Sequence, residues 1–168
     1  MKRVCIFFAV ATVAIALSLT GCSKEDPAKP LEVDLNRTAR VEGNILYNTD
    51  ITISPQKWSA PSSLTIIASV PYSDLNAGAK GTYYIPSTKI TYNSGKYSIE
   101  APVGLSGATV TIKVCSFTGE QRQASGNVSG IWSLANEISQ PVLPGQTAIV
   151  SYKQLTFTPD KKSGDDLY

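Results

Sequence analysis

The chain has 168 residues, of which 42% are hydrophobic and 17% are charged, with three cysteines and no histidine. This length suffices for one domain with its own hydrophobic core. Without histidine the chain lacks the commonest general base and metal ligand, and every Ser-His or Cys-His nucleophile pair is excluded. We therefore expect a protein that is not an enzyme and that uses no cofactor.

The amino-terminal segment has the pattern of a secretory signal. Lys2 and Arg3 precede an apolar run from Val4 to Leu17. As a helix this run is about 21 Å long, which is short of the roughly 30 Å hydrocarbon core of a bilayer. The pattern therefore predicts a signal peptide over residues 1–21 and not a membrane span.

The apolar run ends in Leu19-Thr20-Gly21-Cys22. This sequence resembles the lipobox of bacterial lipoproteins, with a branched apolar residue and two small residues before the cysteine. The resemblance implies cleavage between Gly21 and Cys22 and lipidation of the Cys22 thiol. Two or three acyl chains hold a protein durably on a membrane. We accordingly expect a lipid anchor in the outer membrane of a Gram-negative cell.

A short charged motif follows the cysteine. Lys24, Glu25 and Asp26 are similar to the export signal of Bacteroidetes lipoproteins that reach the cell surface, which implies surface exposure. The prolines at 27 and 30 disfavour helix, so residues 22–36 are predicted to be a flexible stalk. An extended stalk reaches up to about 46 Å from the lipid.

Processing would also change the charge and the cysteine count. Loss of residues 1–21 removes Lys2 and Arg3 and leaves equal numbers of basic and acidic residues. Because no basic footprint remains, we expect no nucleic-acid partner. Cys5 leaves with the signal and Cys22 is lipidated, so Cys115 has no disulfide partner in the chain. Without a neighbouring imidazole, Cys115 is predicted to be a covered and inert thiol on the outward face of a strand.

Residues 37–158 show the period-two alternation of β-strands, broken by Gly, Pro, Asn and Ser. About seven strands are predicted, which favours an all-β fold, an antiparallel Greek-key β-sandwich. Asn93-Ser94-Gly95 predicts a hairpin turn. A change of parity predicts a bulge or break between Tyr152 and Leu155. The inward positions are Ala39, Val41, Ile45 and Tyr47; Leu64, Ile66, Ala68 and Val70; Tyr97, Ile99 and Ala101; and Val110, Ile112 and Val114. Arg40, Glu42, Asn44 and Asn48 are expected to face outward.

Four segments depart from this alternation. Residues 119–146 are rich in Gly, Ser, Asn and Gln and carry Trp132, which predicts a long excursion over the sheet or a functional loop. Residues 74–79 and 131–137 are each long enough for a helical turn. The tail 159–168 is too polar to pack and is predicted to be disordered.

A family resemblance spans about half of the mature chain. Val41-Glu42-Gly43-Asn44-Ile45, the run from Asn93 to Gly104 and Val110-Thr111-Ile112 resemble the transthyretin-like, or carboxypeptidase-regulatory-like, domain. In place of the commoner valine and aspartate the chain has Ile45 and Asn93. The resemblance implies a prealbumin-like β-sandwich accessory module and brings no catalytic residues. With the lipobox, the chain is also similar to small Bacteroidetes cell-surface lipoproteins.

Other chemistry finds little support in the sequence. Six carboxylates are scattered, which disfavours the paired acids of a glycosidase: Glu42, Asp50, Asp74, Glu100, Glu120 and Glu137. The aspartates at 160, 165 and 166 lack the spacing of a calcium loop, so no metal site is predicted. Trp58, Tyr72 and Trp132 lie outside the clear strands, where they either bind a partner or cap the core.

These features lead to three hypotheses. The first is a lipid-anchored, non-enzymatic binding or structural accessory protein with a protein or glycan partner. The second is a carbohydrate-capture lipoprotein that uses Trp58, Tyr72 or Trp132. The third is a subunit of an envelope assembly, such as a fimbria or a pore-forming complex, joined through an exposed strand edge.

Overall fold

The computed structural model describes residues 35–160. The predicted signal peptide 1–21 with its lipobox, the export motif and most of the stalk 22–36 lie outside the described residues. So does most of the predicted tail 159–168. Within the described part, no helix is long enough and apolar enough to cross a bilayer.

The described residues form twelve strands and two short helical turns. The all-β prediction is therefore confirmed, whereas the expected number of seven strands is too low. The strands are β1 (Thr38–Leu46), β2 (Ile66–Pro71), β3 (Thr82–Tyr84), β4 (Ile90–Asn93), β5 (Lys96–Pro102), β6 (Ala108–Val114), β7 (Phe117–Gln123), β8 (Gly126–Ser133), β9 (Ile138–Val142), β10 (Thr147–Ile149), β11 (Lys153–Gln154) and β12 (Thr156–Pro159), and the turns are α1 (Tyr72–Leu75) and a 3-10 helix (Ser87–Lys89).

The strands form three sheets. The first sheet has the order β10-β1-β5-β4, with β11 also on β1; the second has the order β3-β2-β6-β9, and the third β12-β8-β7. The first and second sheets contribute alternate side chains to one core and make up the sandwich body. Most pairs are antiparallel, but β10 and β11 run parallel to β1, which corrects the expectation of a wholly antiparallel fold.

The predicted strands of the sandwich body form because their apolar residues recur at every second position. In β1 the buried residues alternate, with Val41 and Ile45 fully buried, and β6 repeats this pattern with Val110 and Ile112. The hairpin of β4 and β5 is confirmed: Ser94 and Gly95 have φ angles of 48° and 87°, the left-handed backbone that a two-residue hairpin turn requires.

The segment 119–146 is not a loop. It holds most of β7, all of β8 and β9, and it forms one long hairpin with β6. Ile112 pairs with Ile138 in the second sheet, and Phe117 pairs with Trp132 in the third. The prediction failed because one face of β7 and β8 is polar and the other carries mostly glycine and glutamine. We call β7 and β8 the arm.

The observed element boundaries settle two smaller predictions. The helical turn expected over residues 131–137 is wrong because Ile131 lies in β8, while the turn expected over 74–79 is realised earlier, as α1. The change of parity near the carboxyl end is confirmed as a strand break, since β10 ends at Ile149 and β11 begins at Lys153. The break lies slightly before the predicted position and lets both strands pair with β1 in registers that differ by one residue.

Candidate functional site

Two clefts lie at opposite ends of β6. The arm cleft has a volume of about 520 Å³ and is lined by residues 61–65, residues 115–120, Tyr47, Thr49 and Trp132. The end cleft has a volume of about 810 Å³. Both volumes lie in the range typical of ligand sites, about 300–1,000 Å³. The two clefts differ in whether the polar groups near them are hydrogen-bonded within the protein.

One wall of the arm cleft is the segment 59–65, which has no regular secondary structure beyond a bridge at Ser59 but is fastened by hydrogen bonds. Ser59 and Tyr47 exchange two backbone bonds of 2.9 Å each. The Tyr92 hydroxyl, on β4, donates to the Pro61 carbonyl at 2.7 Å. Burial is the main cause that raises the pKa of Tyr92, so this donor stays protonated at neutral pH. The wall is therefore held to the sandwich body from two strands.

Cys115 provides a third fastening of the same wall. Its backbone N–H donates to the Thr65 carbonyl at 2.9 Å, and its half-buried free thiol belongs to a residue lining the cleft. The residue lies after β6 ends, not on the strand, and the segment expected to cover it has become the arm. The thiol thus stands at the junction between the sandwich body and the arm.

Trp132 forms the inner wall of the arm cleft. The expectation that it lies in a polar loop is wrong, because it is on β8 and only 1% exposed. Its ring centroid is 5.1 Å from that of Tyr47 and 4.8 Å from that of Phe157, and the Phe117 ring centroid is 6.2 Å from that of Tyr47. These neighbours leave no ring face free for stacking on a sugar, the mode that a loop tryptophan would use.

The Nε1 edge of Trp132 is different from its faces. A Cβ on Gly119 would lie 3.1 Å from both Cδ1 and Nε1 of the indole, so this edge is directed at Gly119, another residue that lines the cleft. The buried Nε1–H has no hydrogen-bond partner among residues 35–160. An unpaired buried donor costs about 1–3 kcal/mol, which makes this edge an unusual feature of the core.

The polar lining of the arm cleft is mostly uncharged. Serine and threonine hydroxyls come from both walls: Thr49, Ser62, Ser63, Thr65, Ser116 and Thr118. Glu120 is the one charged side chain among the lining residues that the structure describes, and its carboxylate accepts a hydrogen bond of 3.3 Å from Asn127. The cleft therefore offers many hydroxyl groups, and the single negative charge beside it lies on the outer face of the arm.

A buried polar pair lies beside the arm. Asn48 is only 4% exposed, so the expectation that it faces outward is wrong. Because β1 ends at Leu46, the strand alternation does not extend to Asn48, and the Asn48 side chain turns inward. Its carbonyl accepts a bond of 2.9 Å from the Gln121 side chain, and its Oδ1 accepts one of 3.1 Å from the Asp50 N–H. Asn48 Nδ2 has no partner among residues 35–160. Hydrogen bonds to Asp50 from the Thr52 hydroxyl and N–H lower the pKa of that carboxyl.

The end cleft uses its polar groups internally. The Asp74 carboxylate accepts a bond of 2.8 Å from the Thr109 N–H, and the Gln146 side chain accepts one of 2.9 Å from the Leu143 N–H. Its rim is apolar, because Leu105 and Leu143 are 78% and 58% exposed. This cleft offers exposed apolar surface in place of an unpaired polar group.

The three aromatics predicted to bind a partner are not assembled into one site. Trp58 is half-buried and lines neither cleft. Tyr72 begins α1 and packs edge-on against Tyr83, with ring centroids 6.1 Å apart. Of the three, Trp132 alone lines one of the two clefts, and its Nε1 edge lies against Gly119, which lines the same cleft. The signal for this edge in the sequence is weak, because it depends on Gly119, which by itself indicates only a flexible backbone.

The carboxylates are also distributed. Glu42 and Glu100 share the outer face of the first sheet, where Arg40 lies 3.9 Å from Glu42 and Lys89 lies 2.7 Å from Glu100. Glu137 lies 3.9 Å from Lys113 on the second sheet. In the described residues, no three His, Cys, Asp or Glu side chains are grouped to hold a metal ion.

Comparison with known proteins adds no family. No protein-family model matches the chain, and no curated protein is significantly similar to it. The class of molecule is thus defined by its own fold, an all-β sandwich whose longest hairpin continues beyond the body as an arm and borders a hydroxyl-lined cleft.

Proposed function

We propose that the chain is a lipid-anchored, non-enzymatic binding protein displayed on the surface of a Gram-negative outer membrane. The lipobox Leu19–Cys22 supports the anchor, and Lys24, Glu25 and Asp26 support export to the surface. The single observation that carries the binding role is the arm cleft, with its fastened wall and a buried, unpaired indole N–H at its inner side.

In this proposal each part of the chain has a positional task. Cys22 holds the protein on the membrane, and residues 22–36 give the domain reach. The sandwich body is a rigid base, because its core is formed by aliphatic side chains that are almost fully buried. The arm cleft then meets a ligand at a distance from the lipid.

The anchor is tested by Cys22→Ala, with Cys115→Ala as the matched control. We expect Cys22→Ala to abolish labelling by an alkyne fatty acid and to release the protein from the membrane fraction, because no other cysteine is in the lipobox. Cys115→Ala should keep both label and membrane association. Membrane retention of an unlabelled Cys22→Ala variant would contradict the proposal.

Surface display is tested separately. Protease added to intact cells should remove the domain, and replacement of Lys24, Glu25 and Asp26 by alanine should protect it, because the variant stays on the inner face. A periplasmic protein that survives the treatment shows that the cells were intact. Protection of the unaltered chain would contradict surface display and leave the lipid anchor standing.

A second candidate, a subunit of an envelope assembly, is favoured by the rim of the end cleft. Leu105 and Leu143 expose apolar surface at one end of the sandwich body. If this rim docks a protein subunit, replacement of both leucines by serine should abolish cross-linking to that subunit in cells and leave folding unchanged. Cross-linked products that persist in the double variant would exclude this role for the rim.

A further inference from the structure

We infer that the arm cleft binds a neutral sugar, with Trp132 Nε1–H as a hydrogen-bond donor to a ring or hydroxyl oxygen of the ligand. This inference deepens the proposed binding role by naming the class of ligand. It gives Trp132 a different task from the stacking platform expected of a loop aromatic. The ring is 1% exposed and packed against Tyr47 and Phe157, so it offers no ring face to a ligand, and Nε1 is the one polar atom of its side chain.

The unpaired donor defines what the ligand must present. Trp132 Nε1 is buried, has no partner among residues 35–160 and lies against Gly119, which lines the cleft. Indole N–H donates only, so its partner is an acceptor. Gly119 contributes no side chain, so only backbone atoms of this residue lie against the indole edge. A ligand oxygen at this point satisfies a donor that the fold leaves unpaired.

The rest of the lining selects a neutral polyol over an anion. Hydroxyls of the walls both donate and accept, which matches the hydroxyls of a sugar. Glu120 is a lining residue whose side chain lies on the outer face of the arm, where its negative charge disfavours the approach of a carboxylate or phosphate. No lysine or arginine lines the cleft in the part of the chain that the structure describes. Pro61 and Phe117 supply apolar surface for the C–H groups of a sugar ring.

The chain contains two tryptophans, so a ¹⁵N correlation spectrum shows two indole N–H resonances. The resonance that is missing from the spectrum of a Trp58→Phe variant belongs to Trp58, and the other belongs to Trp132. The full-length lipidated protein is held in a detergent whose headgroup carries no sugar. Glucose, galactose, mannose and N-acetylglucosamine are then titrated into the millimolar range, with glucuronate as the anionic comparison. We expect at least one of them to shift the Trp132 resonance in a saturable way and to leave Trp58 unmoved.

Two variants tie the shift to the cleft. Gly119→Ala puts a methyl group 3.1 Å from Nε1 and should weaken binding about tenfold, the cost of one hydrogen bond. Glu120→Gln replaces an exposed side chain, so we expect the fold to stay intact. Because the variant lacks the negative charge, the ratio of the affinity for glucose to the affinity for glucuronate should fall. Leu105→Ala, at the opposite end of β6, is the control and should bind as the unaltered protein does.

The opposing results are equally specific. The inference is overturned if none of the four sugars moves the Trp132 resonance, which would mean that only water reaches Nε1. It is also overturned if Trp58 responds in place of Trp132, or if glucuronate binds more tightly than glucose. The titration reads the cleft whether or not Cys22 carries lipid, so failure of the sugar site and failure of the anchor are distinguishable.

Discussion

The sandwich body and the arm bury their surface in different ways. The body is filled by small aliphatic side chains from two facing sheets, such as Val41, Ile99 and Val110, all with 0% exposure. At the arm the core consists of a few large rings, with Trp132 packed against Tyr47 and Phe157. The stabilising free energy from buried apolar surface, about 25 cal/mol per Å², is therefore divided among many residues in the body and concentrated in a few residues at the arm.

Both regions also place an aromatic ring over a glycine, but with different closeness. In the body the Tyr97 ring covers Gly43, where a Cβ would lie 2.5–2.9 Å from the ring atoms. In the arm the indole of Trp132 covers Gly119 at 3.1 Å. Each ring leaves a polar atom without a partner among residues 35–160, the Tyr97 hydroxyl and Trp132 Nε1. The tyrosine lies inside the closed core, whereas the tryptophan borders a cleft. Only the second arrangement lies beside a cleft.

The largest effect is expected from removal of the central ring of the arm. Trp132→Ala should lower the free energy of unfolding by about 3–5 kcal/mol, because no neighbour fills the space of an indole. Ile99→Val in the body should cost about 0.5–1.5 kcal/mol. Urea denaturation followed by circular dichroism measures both. Similar losses in the two variants would remove the contrast between a concentrated and a distributed core.

Alkaline pH probes the body through Tyr97. Burial raises the pKa of Tyr97 to about 12 from the ordinary value of 10.0. The unfolded chain ionises first, so stability is complete below pH 10 and falls as pH rises from 10 to 12. The loss attributable to this residue is about 3 kcal/mol. Between pH 10 and 12, the free energy of unfolding measured by urea denaturation should fall by about 3 kcal/mol less in Tyr97→Phe than in the unaltered protein. An equal fall in both proteins would contradict the burial of the hydroxyl.

The two glycine–ring pairs give a matched comparison of intermediate size. Gly43→Ala should cost about 1–3 kcal/mol, because its methyl group overlaps the Tyr97 ring. Gly119→Ala requires a shift of only a few tenths of an ångström and should cost less than about 1 kcal/mol. Thermal unfolding of both variants checks the order. Because the Tyr97 hydroxyl oxygen is the nearest atom to position 43, Tyr97→Phe should recover part of the Gly43→Ala loss.

The smallest effect is expected on the outer face of the first sheet. Lys89 Nζ lies 2.7 Å from Glu100 Oε1, but both side chains are substantially exposed. Lys89→Met should therefore change the free energy of unfolding by less than about 1 kcal/mol, and added salt should reduce the difference further. A loss comparable with that of Trp132→Ala would show that surface charge, and not packing, dominates the stability of this sheet.

The same contrast explains which elements were predictable. β1 and β6 alternate apolar and polar residues, because one face of each packs on the core, and their inward positions were predicted correctly. β7 and β8 bury few side chains along their length and pair by backbone hydrogen bonds. A strand with glycine or glutamine on its inner face has no hydrophobic period, so its sequence is indistinguishable from that of a polar loop.

The candidate site was predictable only in part. Trp132 was singled out from the sequence, but as an exposed ring in a loop, and whether it binds a ligand stays a prediction. Its burial depends on Tyr47 and Phe157, which are far from it in the chain. The Nε1 edge of Trp132 lies against Gly119 because Gly119 is two positions from Phe117, the residue with which Trp132 pairs. Such a relation is set by strand register, which local sequence does not specify.

The sequence by itself determined the all-β class, the inward residues of the sandwich body and the β4–β5 turn. These follow from the two-residue period of a strand and from the left-handed backbone at Ser94 and Gly95. The tertiary structure alone decided that residues 119–146 form strands and not a loop, that β10 and β11 run parallel to β1, and that Trp132 lines a cleft. These features depend on pairing between distant segments, whose register is chosen by the packing of the whole core.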